Sequence, residues 1–139
     1  FQINMAGYSG TPLVKKLGIK EHHRMLVINE PETYWDNLAP LPEGVEIYDK
    51  IPAGAIDFIH YFCLSAEKLK SEILELKSSL KKTGMLWISW PKKSSKVPTD
   101  LSDMIVRNTG LEAGLVDVKV CAVDSIWSGL KFVYRVSDR

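Results

Sequence analysis

Two continuous apolar runs, Ile56 to Leu64 and Met85 to Trp90, bracket an amphipathic stretch from Ser65 to Lys82. No other feature of the chain constrains its fold as tightly. Short apolar runs without polar alternation are how strands read when both of their faces are covered. Between them Ala66, Leu69, Ile73, Leu76 and Leu80 recur at helical spacing, and Leu74 widens the stripe. Ser65 suits the helix cap, Glu67 the positive first turn, and Lys81 and Lys82 the negative last turn, while Gly84 offers a left-handed stop. Strand, covering helix and strand are the repeating unit of a parallel sheet.

The remaining punctuation extends that pattern in both directions. Thr11-Pro12 opens a short helix that Gly18 ends, with Leu13, Val14 and Leu17 on its apolar face. Met25 to Ile28 reads as a buried strand, Glu32 to Leu38 as a short helix packing Tyr34, Trp35 and Leu38, and Pro40 to Gly44 as a turn. Val45 to Ile51 reads as a further strand, with Val45 and Ile47 on one face, and Pro52-Ala53-Gly54 as a turn. After Pro91 a helix is expected from Thr99 or Asp100, burying Leu101, Met104 and Ile105 and closed by Gly110 or Gly114. The end of the chain changes character. Val116, Val118 and Val120 alternate with polar residues, as do Leu130, Phe132, Tyr134 and Val136, and this period of two predicts an antiparallel pair joined by Asp124 to Gly129. The predicted order is α-β-α-β-β-α-β-α-β-β.

Composition excludes several classes of function. With 18 basic and 17 acidic residues the net charge is +1, which leaves no electrostatic footprint for sequence-independent nucleic-acid binding. No apolar stretch is long enough to span a membrane, and no leader pattern opens the chain. Cys63 and Cys121 lie far apart in apolar runs, which predicts two buried thiols and a reducing, cytoplasmic setting. The segment Phe1 to Asn4 ahead of Met5 reads as an upstream remnant, leaving one domain over 5–139.

Ligands of open α/β sheets bind outside the carboxyl ends of the strands. That edge is expected to carry Asn29, Glu30, Asp49, Cys63, Leu64, Trp90, Pro91, Lys92 and Lys93. The sharpest cluster is Trp90-Pro91-Lys92-Lys93-Ser94-Ser95-Lys96, whose lysines and serines could hold an anion or a partner, or could form a solvated basic loop. Trp127, with Asp124 and Ser128, is expected in the final connection, either as a ligand or partner contact or as packing over the sheet edge. Trp87 and Trp90, at odd separation, face opposite sides of their strand. His22 and His23 diverge if extended and signal no third metal ligand. His60, inside an apolar strand, reads as a hydrogen-bonded core histidine, and Ser9 does not match a nucleophile elbow. No triad, carboxylate pair or phosphate loop is found.

A long helix, the run Gly84-Met85-Leu86-Trp87-Ile88-Ser89-Trp90, another helix and an antiparallel pair resemble the second half of a class I S-adenosylmethionine-dependent methyltransferase. Ile56-Asp57-Phe58-Ile59-His60 is similar to the strand that precedes the long helix there. The phrases Gly7-Tyr8-Ser9-Gly10-Thr11-Pro12-Leu13, Lys16-Leu17-Gly18-Ile19, Trp90-Pro91-Lys92-Lys93 and Gly114-Leu115-Val116-Asp117-Val118-Lys119-Val120-Cys121-Ala122-Val123-Asp124 resemble a bacterial family catalogued as domain of unknown function three thousand and fifty-two, which has no established activity. The resemblance implies a Rossmann-like, methyltransferase-like three-layer α/β sandwich: a mostly parallel sheet with an antiparallel C-terminal hairpin. It places Asp49 where methyltransferases carry a ribose-binding carboxylate.

The first strand departs from that pattern. It ends Asn29-Glu30-Pro31-Glu32-Thr33, with no glycine between Gly18 and Gly44, and carboxylates stand where an anion would sit. The chain is also short by a strand–helix unit. These departures favour a non-catalytic binding or regulatory module with a degenerate cofactor loop and an unidentified protein partner or small ligand. The alternatives are a small-ligand or nucleotide-binding protein using the 90–96 loop, and a diverged methyltransferase that retains S-adenosylmethionine.

Overall fold

The computed structural model describes residues 10–50 and 54–139. The readings at Phe1 to Asn4, Met5, Gly7-Tyr8-Ser9 and Ile51-Pro52-Ala53 lie outside the described residues. The elements run α1 (Leu13–Leu17), β1 (Arg24–Ile28), α2 (Tyr34–Leu38), β2 (Glu46–Tyr48), β3 (Ile56–Phe62), α3 (Ala66–Ser79), β4 (Leu80–Pro91), α4 (Asp103–Glu112), β5 (Leu115–Ala122) and β6 (Trp127–Tyr134), with short 3-10 turns at Lys93–Ser95 and Val136–Asp138. This is the order the periodicities predict.

The sheet runs β2-β1-β3-β4-β6-β5. β1 pairs in parallel with β2 and β3, and β3 with β4, whereas β6 lies antiparallel between β4 and β5. The order reverses between β1 and β3, so a topological switch point opens at their carboxyl ends.

Helices cover both faces. On one, Leu69, Ile73 and Leu76 of α3 and Val106 of α4 pack on Leu26, Ile59, Leu86, Ile88 and Leu130. On the other, Leu17 of α1 and Tyr34 and Leu38 of α2 pack on Met25, Phe58, Phe62 and Trp87. Trp87 and Trp90 fall in opposite clusters, as their spacing requires. Cys63 and Cys121 are buried free thiols.

Several local expectations are corrected. Ser65 does cap α3, accepting from Lys68 N at 3.2 Å, but the helix stops at Ser79 and Leu80 enters the sheet directly opposite Ile56. Gly84 is therefore not a helix stop. It lies inside β4, where a Cβ would stand 2.9 Å from the Ile56 and Asp57 carbonyl oxygens, so only a glycine admits this close approach. Pro12, not Thr11, holds the N-cap position of α1.

The fourth helix starts later than expected because Ser102 is its cap, accepting from Ile105 N. Thr99 instead donates to the Leu64 carbonyl, and Asp100 accepts from Ala66 N at the start of α3. Gly114 is the left-handed residue that follows α4, at φ 90°, while Gly110 sits within the helix against Phe132. Leu74, Met104, Val118 and Val120 are exposed rather than core. The valines lie on the outermost strand, where a bulge between Asp117 and Lys119 breaks their alternation. β2 is only three residues long, and Ile47 is exposed because no strand lies beyond it. Trp127, Ser128 and Gly129 belong to β6 rather than to the connection before it.

Candidate functional site

The carboxyl ends of β1, β2 and β3 meet in two adjoining crevices. One, of about 560 Å³, is lined by Val27, Glu30, Trp35, Ile47, Tyr48 and Asp49. The other, of about 350 Å³, is lined by Asn29, Phe62, Cys63, Leu64, Ser65, Lys68 and Trp127. Asn29 and Glu30, consecutive at the end of β1, stand on either side of the boundary between them.

Asn29 adopts a left-handed conformation, at φ 61°. Asparagine tolerates that region better than most side chains, and its amide donates to the Phe62 carbonyl at 3.3 Å. The turn after β1 is thus sharp although it contains no glycine. Glu30 lies just ahead of α2. Its carboxylate accepts a 3.0 Å hydrogen bond from the Trp35 indole and shares its crevice with the exposed Asp49. Two carboxylates without a lining cation suit hydroxyl donors or a positively charged ligand, not a phosphate.

A buried polar chain supports this edge from beneath. His60 on β3 contacts the Tyr34 hydroxyl through Nδ1 at 2.8 Å and the Ser89 hydroxyl through Nε2 at 2.7 Å. Full burial lowers its pKa to about 3, so the ring is neutral. A neutral ring carries one N–H, so one hydroxyl donates to it and the other accepts from it. Burial raises the Tyr34 pKa well above its ordinary value, with Glu30 adding to the shift.

The same ring stacks on Phe62 at 4.2 Å, and Phe62 meets Trp127 edge-on at 5.1 Å. Tyr34 meets its neighbour Trp35 edge-on at 5.2 Å. The chain therefore fixes the walls of both crevices, through Trp35 on one side and through Phe62 and Trp127 on the other. His60 is the hydrogen-bonded core histidine its apolar strand predicts. Its two partners were not signalled, because a tyrosine at the start of a five-residue helix and a serine inside an apolar strand carry no periodic mark.

The basic loop is arranged differently. Lys92 gives its ammonium to the Asp124 carbonyl at 2.8 Å and its backbone N–H to Ile126 O at 2.7 Å, and Ser95 donates back to Lys92 O at 2.6 Å. Asp124 accepts from Ile126 N and Trp127 N, a local turn that starts β6. Lys93 is exposed on the 3-10 turn, and Trp90 is buried under α3 and α4; neither lines a crevice at the switch point. Of the sequence-predicted residues, the structure brings Asn29, Glu30, Asp49 and Trp127 to the crevices and leaves Trp90, Lys92, Lys93, Ser95 and Asp124 away from them. His22 packs beside Gly44 while His23 accepts from Lys20 N, and no metal-binding group of side chains occurs among the described residues. Among these residues no helix is long and apolar enough to cross a membrane.

No family model matches the chain, and no curated protein does. The phrases that resemble the uncharacterised bacterial family therefore stand as a resemblance only. Solved structures do match. An S-adenosylmethionine-dependent methyltransferase from Aquifex aeolicus superposes with a TM-score of 0.63 at 17% identity, over 86% of each chain. A magnesium protoporphyrin IX methyltransferase from Synechocystis PCC 6803, solved with S-adenosylmethionine, gives 0.57 at 11% identity over 88% of this chain and 74% of that one. The 1,6-didemethyltoxoflavin-N1-methyltransferase of Burkholderia thailandensis, solved with bound 1,6-didemethyltoxoflavin and S-adenosylhomocysteine, gives 0.56 at 10% identity over 87% and 76%. At these identities the likeness is one of fold, and the fold is the Rossmann-like architecture of class I methyltransferases.

Proposed function

We propose that the chain binds an adenosyl ligand of the S-adenosylmethionine type at the carboxyl edge of β1 and β2, as a diverged methyltransferase. The observation that carries this reading is the crevice in which Glu30 and Asp49 lie together beside the left-handed turn at Asn29. A ribose diol offers two hydroxyl donors and S-adenosylmethionine has a net positive charge, so both suit a pair of carboxylates. The sharp turn at Asn29 supports the reading despite the absent glycines, because it lets the chain leave β1 without covering the crevice. Similarity to methyltransferase structures supports it at the level of fold.

In this reading Asp49 and Glu30 accept hydrogen bonds from the ligand's hydroxyls, and Trp35 holds the Glu30 carboxylate in place. Bound S-adenosylmethionine would supply an electrophilic sulfonium methyl. Phe62, Leu64 and Trp127 would exclude water on the neighbouring side. Thermal unfolding with and without millimolar S-adenosylhomocysteine tests the reading. Ligand at about 100 times its dissociation constant adds roughly 2.7 kcal/mol, which raises the midpoint by several degrees. An unchanged midpoint would remove the adenosyl reading.

A non-catalytic binding module is the second reading, favoured by one observation. The groups suited to acid–base work are bonded to one another: Tyr34 and Ser89 to His60, and Tyr61 to Glu72 through a short hydrogen bond. Binding of S-adenosylhomocysteine without any turnover of S-adenosylmethionine would select it.

A further inference from the structure

The 350 Å³ crevice differs in chemistry from its neighbour. Its walls are Leu64 and Trp127, with the Cys63 thiol turned away to the Ser65 carbonyl at 3.2 Å. Phe62 is buried behind the Trp127 wall, stacked on the His60 ring and meeting Trp127 edge-on, so it holds that wall in place before anything binds. Leu64 is 48% exposed, an unusual state for a leucine beside an apolar hollow. Polar groups stand among the lining residues at Asn29, Ser65 and Lys68. Asn29 has given its amide N–H to Phe62 O, and the Ser65 hydroxyl oxygen accepts from Lys68 N.

Lys68 is the one formal charge in this lining. It reaches Glu72 only at 4.0 Å, with its side chain 60% exposed. The Tyr61 hydroxyl bonds the other oxygen of Glu72, and an ion pair this long between solvent-exposed side chains is weak, so the ammonium can swing to another anion. The neighbouring crevice presents two carboxylates; this one presents an apolar slot and a cation.

We infer that this crevice binds a planar aromatic carboxylate, its ring against Trp127 and Leu64 and its carboxylate on Lys68. The inference deepens the adenosyl reading by naming the class of molecule that would lie on the acceptor side, but its test needs no cofactor. The probes are 2-naphthoate and its neutral counterpart 2-naphthalenemethanol, titrated into the full chain and followed by amide chemical shifts.

The expected result is saturable 2-naphthoate binding that moves the signals of Asn29, Leu64, Ser65 and the Trp127 indole N–H. Lys68→Gln lies on an exposed helix face and should leave the fold intact. It should weaken 2-naphthoate about tenfold and leave the alcohol unchanged. Trp127→Leu should weaken both probes, with the dispersion of the remaining signals reporting that the fold persists. Absence of saturable 2-naphthoate binding at millimolar concentration overturns the inference. So does an equal effect of Lys68→Gln on both probes, or shifts centred elsewhere. If 2-naphthoate binds while S-adenosylhomocysteine does not, the crevice assignment stands and the adenosyl reading fails; the reverse result fails this inference alone.

Discussion

The face of the sheet under α3 and α4 is sealed by helix residues: Leu69, Ile73, Leu76 and Val106 lie over Ile59, Leu86, Ile88 and Leu130. The face under α1 and α2 has two helices of five residues each, and the sheet supplies much of the bulk itself through Phe58, Phe62 and Trp87. A long amphipathic helix offers partners to the strand hydroxyls beneath it, Glu72 to Tyr61 and the Lys77 carbonyl to Tyr134, and buries a stripe of its own. A five-residue helix cannot, so large strand side chains fill the layer, and their polar atoms then require partners. Trp87 donates to Leu17 O at 2.8 Å, and His60 joins Tyr34 to Ser89. On the α1/α2 face the bonded side chains His60, Tyr34 and Ser89 are all buried, and that interior reaches the crevices at the carboxyl edge.

The contrast can be broken most severely at Trp87, which is fully buried. Trp87→Ala removes its volume together with the hydrogen bond that ties α1 to β4, and is expected to cost about 3–5 kcal/mol in urea unfolding. A cost below about 1 kcal/mol would mean that the α1/α2 layer collapses around the gap and is not a specific core.

The second test is acidity. The His60 pKa is lowered to about 3 by burial, below its ordinary value of 6.5, so below pH 6.5 the unfolded chain takes up a proton that the folded chain refuses. The stability from keeping this ring neutral is full above pH 6.5 and falls by about 1.4 kcal/mol per pH unit towards pH 3. His60→Gln should start less stable at pH 7 but show a shallower decline between pH 6 and pH 4. Parallel acid profiles for the two proteins would contradict the burial of a neutral histidine.

The opposite face is probed at Gly110, where a Cβ would stand 2.0 Å from the Phe132 ring. In an exposed helix glycine to alanine stabilises, whereas here overpacking is expected to cost about 1–3 kcal/mol. Phe132→Leu in the same chain should recover part of that loss. A stabilised Gly110→Ala would show that α4 is free to move off the sheet.

Legibility followed the same division. The 3.6-residue stripe over Leu69, Ile73 and Leu76 and the apolar runs around it made β3, α3 and β4 readable, because burial of those residues is periodic. The ends were less readable. Gly84 and Gly110 both look like helix stops, yet each is required by a close contact made across the fold, to β3 carbonyls and to Phe132, that no local pattern encodes. The valines of β5 alternate like a half-buried strand, but a bulge breaks the alternation after Asp117 and the strand is the sheet's edge, where Val118 and Val120 stay exposed.

At the site, the rule that ligands gather at strand carboxyl ends brought Asn29, Glu30 and Asp49 forward, and the structure places Glu30 and Asp49 in one crevice and Asn29 in the other. The arrangement of the 90–96 loop was not legible, because hydrogen bonds such as Lys92 to Asp124 O are invisible in one dimension. Lys68 carries no mark in the sequence either: it lies on the surface of the long helix and lines the crevice because Ser65 starts α3 at the end of β3.

Mapping amide and indole chemical shifts as S-adenosylhomocysteine is added most directly tests whether the ligand edge lies at β1 and β2. The account predicts the largest changes at Asn29, Glu30, Asp49 and the Trp35 indole N–H, with Lys93, Ser95 and Lys96 unmoved. Changes centred on the 90–96 loop, or none at millimolar ligand, would contradict it.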